Sequence, residues 1–199
     1  MMKAAELTNI RELFLTDRPI PKIERPDDVR IKIQAVGVCG SDVHYYSTGR
    51  IGDQVVQFPW VVGHETAGIV DETGACVQTL KKGDRIALDP SIPCGKCDQC
   101  DAGRFHTCRN LRFLGCPGQI EGCLSEYIVM PESSCYPIPD SLTFEDGVLT
   151  EPLSIGMYAV HLSGIQEGQT AAVFGLGPIG LSVTLGTAKT DAQVRCGID

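Results

Sequence analysis

Residues 170–189, TAAVFGLGPIGLSVTLGTAK, followed by QVRCGID at 193–199, spell an apolar strand, a glycine turn, a helix and a second strand. That order is the opening βαβ of a dinucleotide-binding fold. Gly175, Gly177 and Gly180 stand where the tight turn, the close approach to a diphosphate and the helix–strand contact each need a residue without a side chain. Pro178 and Ile179 complete the turn, and a diphosphate can rest on the amides at the helix N-terminus. Asp199 falls about 20 residues past the glycines, where an acid accepts hydrogen bonds from both ribose hydroxyls. A carboxylate there repels a 2′-phosphate and so favours NAD over NADP; the plainer alternative is a strand-end acid. A parallel sheet needs more than two strands to cover its faces, so residues 154–199 are expected to be a linking helix and the start of an incomplete Rossmann domain.

Upstream the texture is different. From Val29, VRIKIQAVGV alternates apolar and polar residues as a half-buried strand does, and it ends at Cys39-Gly40. Ser41 is expected to cap a short helix over DVHYYSTG that Gly49 closes. VVGHETAGIVDE, GDRIALDP and CLSEYIVM read as further strands bounded by turn residues. After PIPDSLTFEDG, read as a turn, GVLTEPLSIGMYAVHL has helical spacing over about 15 residues. The expectation is a mixed α/β chain with a β-rich domain over 1–153.

The formal charge of −8 argues against a surface that collects phosphate backbones, so nucleic acid is not an expected partner. No apolar run approaches the roughly 20 residues that cross a bilayer, and MMKAAELTNIRELF lacks the apolar core of a signal peptide, so no membrane partner and a cytoplasmic address are expected. Ten cysteines in such a setting should stay reduced, and reduced, clustered thiols point to metal.

Cys94, Cys97, Cys100 and Cys108 have spacers of two, two and seven residues, and four thiolates so close in sequence can wrap one tetrahedral ion in a closed shell. Structural zinc is the first reading of this lobe, around 90–110; an iron–sulfur centre or unrelated buried thiols are the alternatives. Adjacent His106 is expected to be a surface loop residue. A second constellation is dispersed: Cys39 at a strand end, His64 and Glu65 in GHE, and Glu151 at the head of EPLS, each beside Gly or Pro where the backbone turns. Sulfur, imidazole and carboxylate with one position left open make a catalytic zinc site, although each residue taken singly is more often packed core or a solvated charge.

The segments GVCGSDVHYYSTGRIGD, VVGHETAGIV, KKGDRIALDP, the four-cysteine lobe, EPLS and VFGLGPIG occur in an order that resembles the zinc-containing medium-chain dehydrogenases, over essentially the whole chain. CGSDVHYYSTGRIG and TEPLSIG are most similar to the sorbitol, xylitol and arabinitol branch. The resemblance implies a GroES-like β-barrel catalytic domain, completed by a C-terminal segment that this sequence lacks, with a Rossmann domain inserted before it. It further implies that Cys39, His64 and Glu65 hold catalytic zinc and that Glu151 either joins them or holds a water there; which carboxylate ligates stays open. Tyr45 matches the family's substrate-contacting tyrosine, with core packing as its other reading. Mammalian sorbitol dehydrogenases resemble the chain but lack the full cysteine lobe.

What the resemblance implies is an NAD-dependent oxidation of a polyol's secondary hydroxyl to a ketose, by a whole protein that forms a dimer or tetramer. Ser41 and His44, three apart on one helix face, could carry the proton to solvent, unless it leaves by water on Glu151; Ser41 as a plain cap is the alternative. Rival readings are another zinc-dependent alcohol or L-threonine dehydrogenase, a zinc-free quinone or alkene reductase of the same superfamily, and a non-catalytic zinc-lobe module. Cys76, Cys116, Cys123, Cys135 and Cys196 are expected to be packed or surface thiols, His161 a helix-face residue, and Lys81, Lys82 and Arg85 a solvated basic turn.

Overall fold

A computed structural model describes residues 1–196, and the chain divides into two compact units after Val148. The first unit runs β1 (Met2–Asn9), β2 (Glu12–Arg18), β3 (Asp28–Gly37), α1 (Gly40–Thr48), β4 (Arg50–Ile51), β5 (Gln54–Val55), β6 (Trp60–Val61) and β7 (Glu65–Thr73). It continues with β8 (Arg85–Leu88), β9 (Ser91–Ile92), α2 (Asp98–Asp101), β10 (Arg112–Phe113), β11 (Tyr127–Pro131) and β12 (Cys135–Pro137). α3 (Phe144–Ser163) follows, and then β13 (Thr170–Val173), α4 (Pro178–Ala188) and β14 (Gln193–Cys196).

The first unit is built on an antiparallel five-stranded sheet in the order β11-β3-β7-β8-β12. Its inward side chains, among them Val29, Ile31, Val70, Ile86 and Met130, are almost wholly buried and form the main core. A second sheet, β2-β1-β6, joins the first through backbone bonds from Ala5 N–H to the Leu124 carbonyl (2.8 Å) and from Glu126 N–H to the Lys3 carbonyl (3.0 Å). Strand β3 falls where the alternation of VRIKIQAVGV placed it. The hairpin β1–β2 had no counterpart in the sequence reading; Leu13, Phe14 and Leu15 on β2 are all exposed, so it carries no clean inward-outward alternation. The second unit has β13 and β14 paired in parallel around α4, the βαβ order expected.

Two boundaries differ from expectation. α1 starts at Gly40 with Cys39 as its N-cap, because Cys39 is extended (φ −75°, ψ 156°) and the Asp42 carboxylate reaches back to its N–H at 3.0 Å, so Ser41 lies inside the first turn. α3 starts at Phe144, taking in the FEDG read as a turn: Asp146 accepts the Thr143 N–H at 2.8 Å and donates its own N–H to the Thr143 hydroxyl at 3.1 Å. Such reciprocal satisfaction of orphan amides fixes a helix start. Glu151 is therefore within α3 rather than at its head. Among the described residues no helix is long and apolar enough to cross a membrane.

Arg85 is not the solvated charge expected. Its guanidinium donates to the carbonyls of Pro139 (3.0 Å) and Leu142 (2.6 Å) and lies 4.5 Å from the centre of the Phe144 ring, fastening the start of α3 to β8. Arg85→Ala removes two charge-assisted hydrogen bonds and a cation–π contact, and it should lower stability by about 2 kcal/mol in denaturant unfolding, whereas Lys81→Ala should leave the midpoint unchanged.

Candidate metal centres

The four-cysteine lobe is the part of the first unit between β9 and β10, and these two short strands pair antiparallel to close its neck (Arg112 with Ile92, Phe113 with Ser91). Between them only Cys100 and Cys108 are buried, and α2 is a single turn, so the lobe has no apolar core that could hold it folded. Its sulfurs converge instead: the Sγ atoms of Cys94, Cys97, Cys100 and Cys108 all lie within 4.8 Å of one another. Cys97 Sγ is 3.6 Å from Cys100 Sγ and 3.9 Å from Cys108 Sγ. A tetrahedral ion with Zn–S bonds of about 2.3 Å sets its sulfurs about 3.8 Å apart, so the donor set fits a closed four-sulfur zinc shell. Thiolates spread over the separate irons of a cluster would stand farther apart.

The thiols are tuned in opposite directions. Backbone N–H groups of Arg109 and Cys100 aimed at its sulfur bring the Cys97 thiol down to about 6, while burial pushes that of Cys100 up to about 11. Four sulfurs this close cannot all ionise unless a cation offsets their repulsion. Asp98 and Arg109, joined by two bonds of 2.6 and 2.8 Å, brace the turn on which Cys97 and Cys100 stand.

The second centre is embedded in the main sheet. β3 and β7 pair so that Gly37 faces Glu65 and Val36 faces Thr66, which sets Cys39, two residues past the end of β3, beside His64 and Glu65 at the start of β7. A sulfur of Cys39, a nitrogen of His64 and an oxygen of Glu65 lie within 4.8 Å of one another. Three unlike donors with room for a fourth ligand fit an open zinc site. Gly37 makes the space, for a Cβ there would meet Glu65 Oε2 at 2.2 Å. Burial raises the proton affinity of the Glu65 carboxyl, and the neighbouring His64 opposes that rise.

Asp42 was not singled out from the sequence, yet it organises this centre. Its carboxylate is 4% exposed; Oδ2 accepts the Cys39 N–H and Oδ1 accepts the Gly63 N–H, each at 3.0 Å. Oδ1 also stands 3.8 Å from His64 Nδ1, close enough to bias which ring nitrogen is left for an ion. An acid three residues after a helix cap was the available signal.

The other expected residues are placed as follows. Ser41 and His44 share the first turns of α1, with His44 exposed. Tyr45 is 5% exposed, packs with Leu7, Val56 and Val62, and donates its hydroxyl to Gln54 Oε1 at 2.8 Å; burial pushes that hydroxyl up to about 12. Glu151 is partly buried on α3 in the second unit. His106 is exposed and His161 lies on the α3 face beside Tyr158. Cys116, Cys123 and Cys135 are buried and Cys76 is exposed, while the side chain of Cys196 and all of Asp199 lie outside what is described.

At the glycine turn, Gly175 has φ 84° and Gly177 caps α4 with Pro178 at its first position, followed by a half-exposed Ile179. Gly180 meets the turn after β13 so closely that a Cβ would lie 1.8 Å from the Gly175 carbonyl oxygen, and it would stand 3.7 Å from the Val173 side chain of β13. That is the close helix–strand contact the third glycine permits.

Residues 25–140 match the family model described as the alcohol dehydrogenase GroES-like domain. The chain is 44% identical over 180 residues to sorbitol dehydrogenase of Bacillus subtilis, covering 90% of this chain and 50% of that protein. It is 43% identical over 175 residues to D-xylulose reductase A of Aspergillus niger, covering 88% and 49%. A Sinorhizobium meliloti 1021 protein described as a zinc-binding dehydrogenase and solved bound to NADP superposes with a TM-score of 0.88 at 37% identity, covering 98% of this chain and 56% of that one. The chain thus spans about half the length of the relatives it matches.

Gly37→Ala should push the Glu65 carboxylate off the second centre while leaving the lobe intact. Elemental analysis after gel filtration is expected to show one zinc retained and the other bound about tenfold or more weakly.

Proposed function

The chain belongs to the alcohol dehydrogenase GroES-like family, and from that premise we propose that it is part of a zinc-dependent oxidoreductase that oxidises a secondary hydroxyl of a polyol, such as sorbitol or xylitol, to a ketose with hydride transfer to NAD. The observation that carries the reading is the gathering of Cys39, His64 and Glu65, three unlike donors, at one point of the rigid β3–β7 ladder. Relatives named sorbitol dehydrogenase and D-xylulose reductase support the substrate class.

In this proposal Cys39, His64 and Glu65 hold catalytic zinc, Glu151 either joins them or fixes a water beside them, and Cys94, Cys97, Cys100 and Cys108 hold structural zinc. Bound zinc supplies Lewis acidity that eases loss of the hydroxyl proton, and NAD supplies the hydride acceptor. The chain's own residues do the rest. Ser41 receives the proton on the first turn of α1 and hands it to His44, whose exposure gives it an outlet to solvent. Tyr45 meets the substrate from a fixed ring, its hydroxyl already oriented by Gln54. Gly175, Gly177, Pro178, Ile179 and Gly180 let the diphosphate approach the amides at the α4 N-terminus, and Asp199 holds the ribose. The whole protein is proposed to work in the cytoplasm, where thiols at metal spacing stay reduced, as a dimer or tetramer.

The test uses the whole protein. Cys39→Ser is expected to lose one of two zinc equivalents and to lower polyol oxidation at least about a thousandfold, a barrier increase of about 4 kcal/mol. Unchanged turnover with one zinc lost overturns the assignment. A panel of sorbitol, xylitol, ribitol, arabinitol, threonine and ethanol with NAD and NADP should give its highest kcat/KM for a polyol with NAD; preference for threonine overturns the substrate class. Gly180→Ala, which crowds α4 against the Gly175 turn, should raise the Kd for NAD about tenfold or more while leaving zinc content at the wild-type level.

A further inference from the structure

The strand that leaves the four-cysteine lobe is also the bed on which His64 rests. Phe113, on β10 in the neck, sets its ring 5.4 Å from the His64 ring at an interplanar angle of 60°. Its backbone is held from several sides: it pairs with Ser91 of β9, its N–H donates to Gln119 Oε1 at 2.7 Å, and its carbonyl accepts the Cys116 N–H at 3.3 Å. Two residues on, the Gly115 carbonyl accepts the Trp60 indole N–H at 3.3 Å. Three more bonds tie the segment ahead of His64 to the same stretch of chain: Gly122 N–H to the Val61 carbonyl at 2.7 Å, Cys123 N–H to Gly63 at 2.9 Å and Leu124 N–H to Val62 at 3.0 Å.

We propose that Phe113 is a positioning residue for His64, and that through it the filled lobe strengthens ion binding at the Cys39–His64–Glu65 centre. The lobe has no core of its own, so an ion decides whether its neck is ordered. The neck decides where Phe113 lies, and the Phe113 ring limits the rotation of the imidazole that must meet Cys39 and Glu65. Packing around a ligand's ring contributes to affinity as its hydrogen bonds do, since both remove orientations that cannot bind. The proposal rests on the reading of both centres as metal sites, and the experiment separates the two.

The full chain is loaded with zinc alone and titrated with a chromophoric chelator, Cys39→Ser and Cys100→Ser serving to assign each release step to its centre. Wild type is expected to release two ions. Phe113→Ala should weaken the Cys39–His64–Glu65 step about tenfold or more, the usual scale for a group that orients a ligand. Phe113→Tyr should restore it, and Phe105→Ala, at an exposed aromatic of the lobe itself, should change neither step. Cys100→Ser should weaken the same second-centre step. Phe113→Leu keeps apolar bulk in the neck and is read in the same way should Phe113→Ala not fold. Wild-type affinity at the second centre in Phe113→Ala and Phe113→Leu overturns the positioning role of Phe113, and wild-type affinity there in Cys100→Ser overturns the coupling to the lobe; a wild-type chain that binds only the lobe ion overturns the second centre and the coupling together.

Discussion

A carboxylate shielded from water is tolerated only where its oxygens find donors, and Asp42 finds two backbone amides that would otherwise be stranded, those of Cys39 and Gly63. One belongs to the exit of β3, the other to the approach to β7. By bridging them, a single side chain joins the two places from which the ligands of the second centre project. Burial raises the proton affinity of Asp42, and the facing His64 opposes that rise. The sheet supplies the coarse placement through the Gly37–Glu65 register, and Asp42 supplies the last ångström.

Legibility in the sequence followed the range of the interaction concerned. The convergence of the lobe's sulfurs was readable because its four cysteines lie within fifteen residues and their spacing alone restricts geometry. Strand β3 was readable because one face is buried, as alternation requires. The glycine turn was readable because two of its glycines answer local steric demands, Gly175 by its positive φ and Gly180 by its approach to the Gly175 carbonyl. Cys39, His64 and Glu65 are separated by two dozen residues and by a change of strand; their donor types beside turn residues suggested a site, the resemblance strengthened it, and the β3–β7 register brings them together.

What escaped the sequence reading was decided by partners distant along the chain or by competition between equally plausible caps. Ser41 is a better cap by residue type than Cys39, yet the acid at position 42 can close the turn only from one register. Arg85 looked like one of three basic turn residues, and only the fold reveals that Pro139, Leu142 and Phe144 are waiting for it. Tyr45 illustrates a different limit: its residue type suits both core packing and substrate contact, and the fold shows the packed ring with its hydroxyl on Gln54.

On the proposed reading the two centres solve opposite problems with the same metal chemistry. In the lobe the chain is nearly coreless, so four sulfurs must supply the cross-link that apolar burial supplies elsewhere, and a closed shell is the most constraining one available. In the sheet the β3–β7 ladder already places the donors, and on the same reading three of them hold an ion and leave one direction for substrate. Contact at Phe113 and His64 is the route by which the two are proposed to be coupled. A neck only two residue pairs wide transmits little by itself, but it ends on the ring that confines the imidazole, and confinement of one donor is enough to change the affinity of a three-donor site.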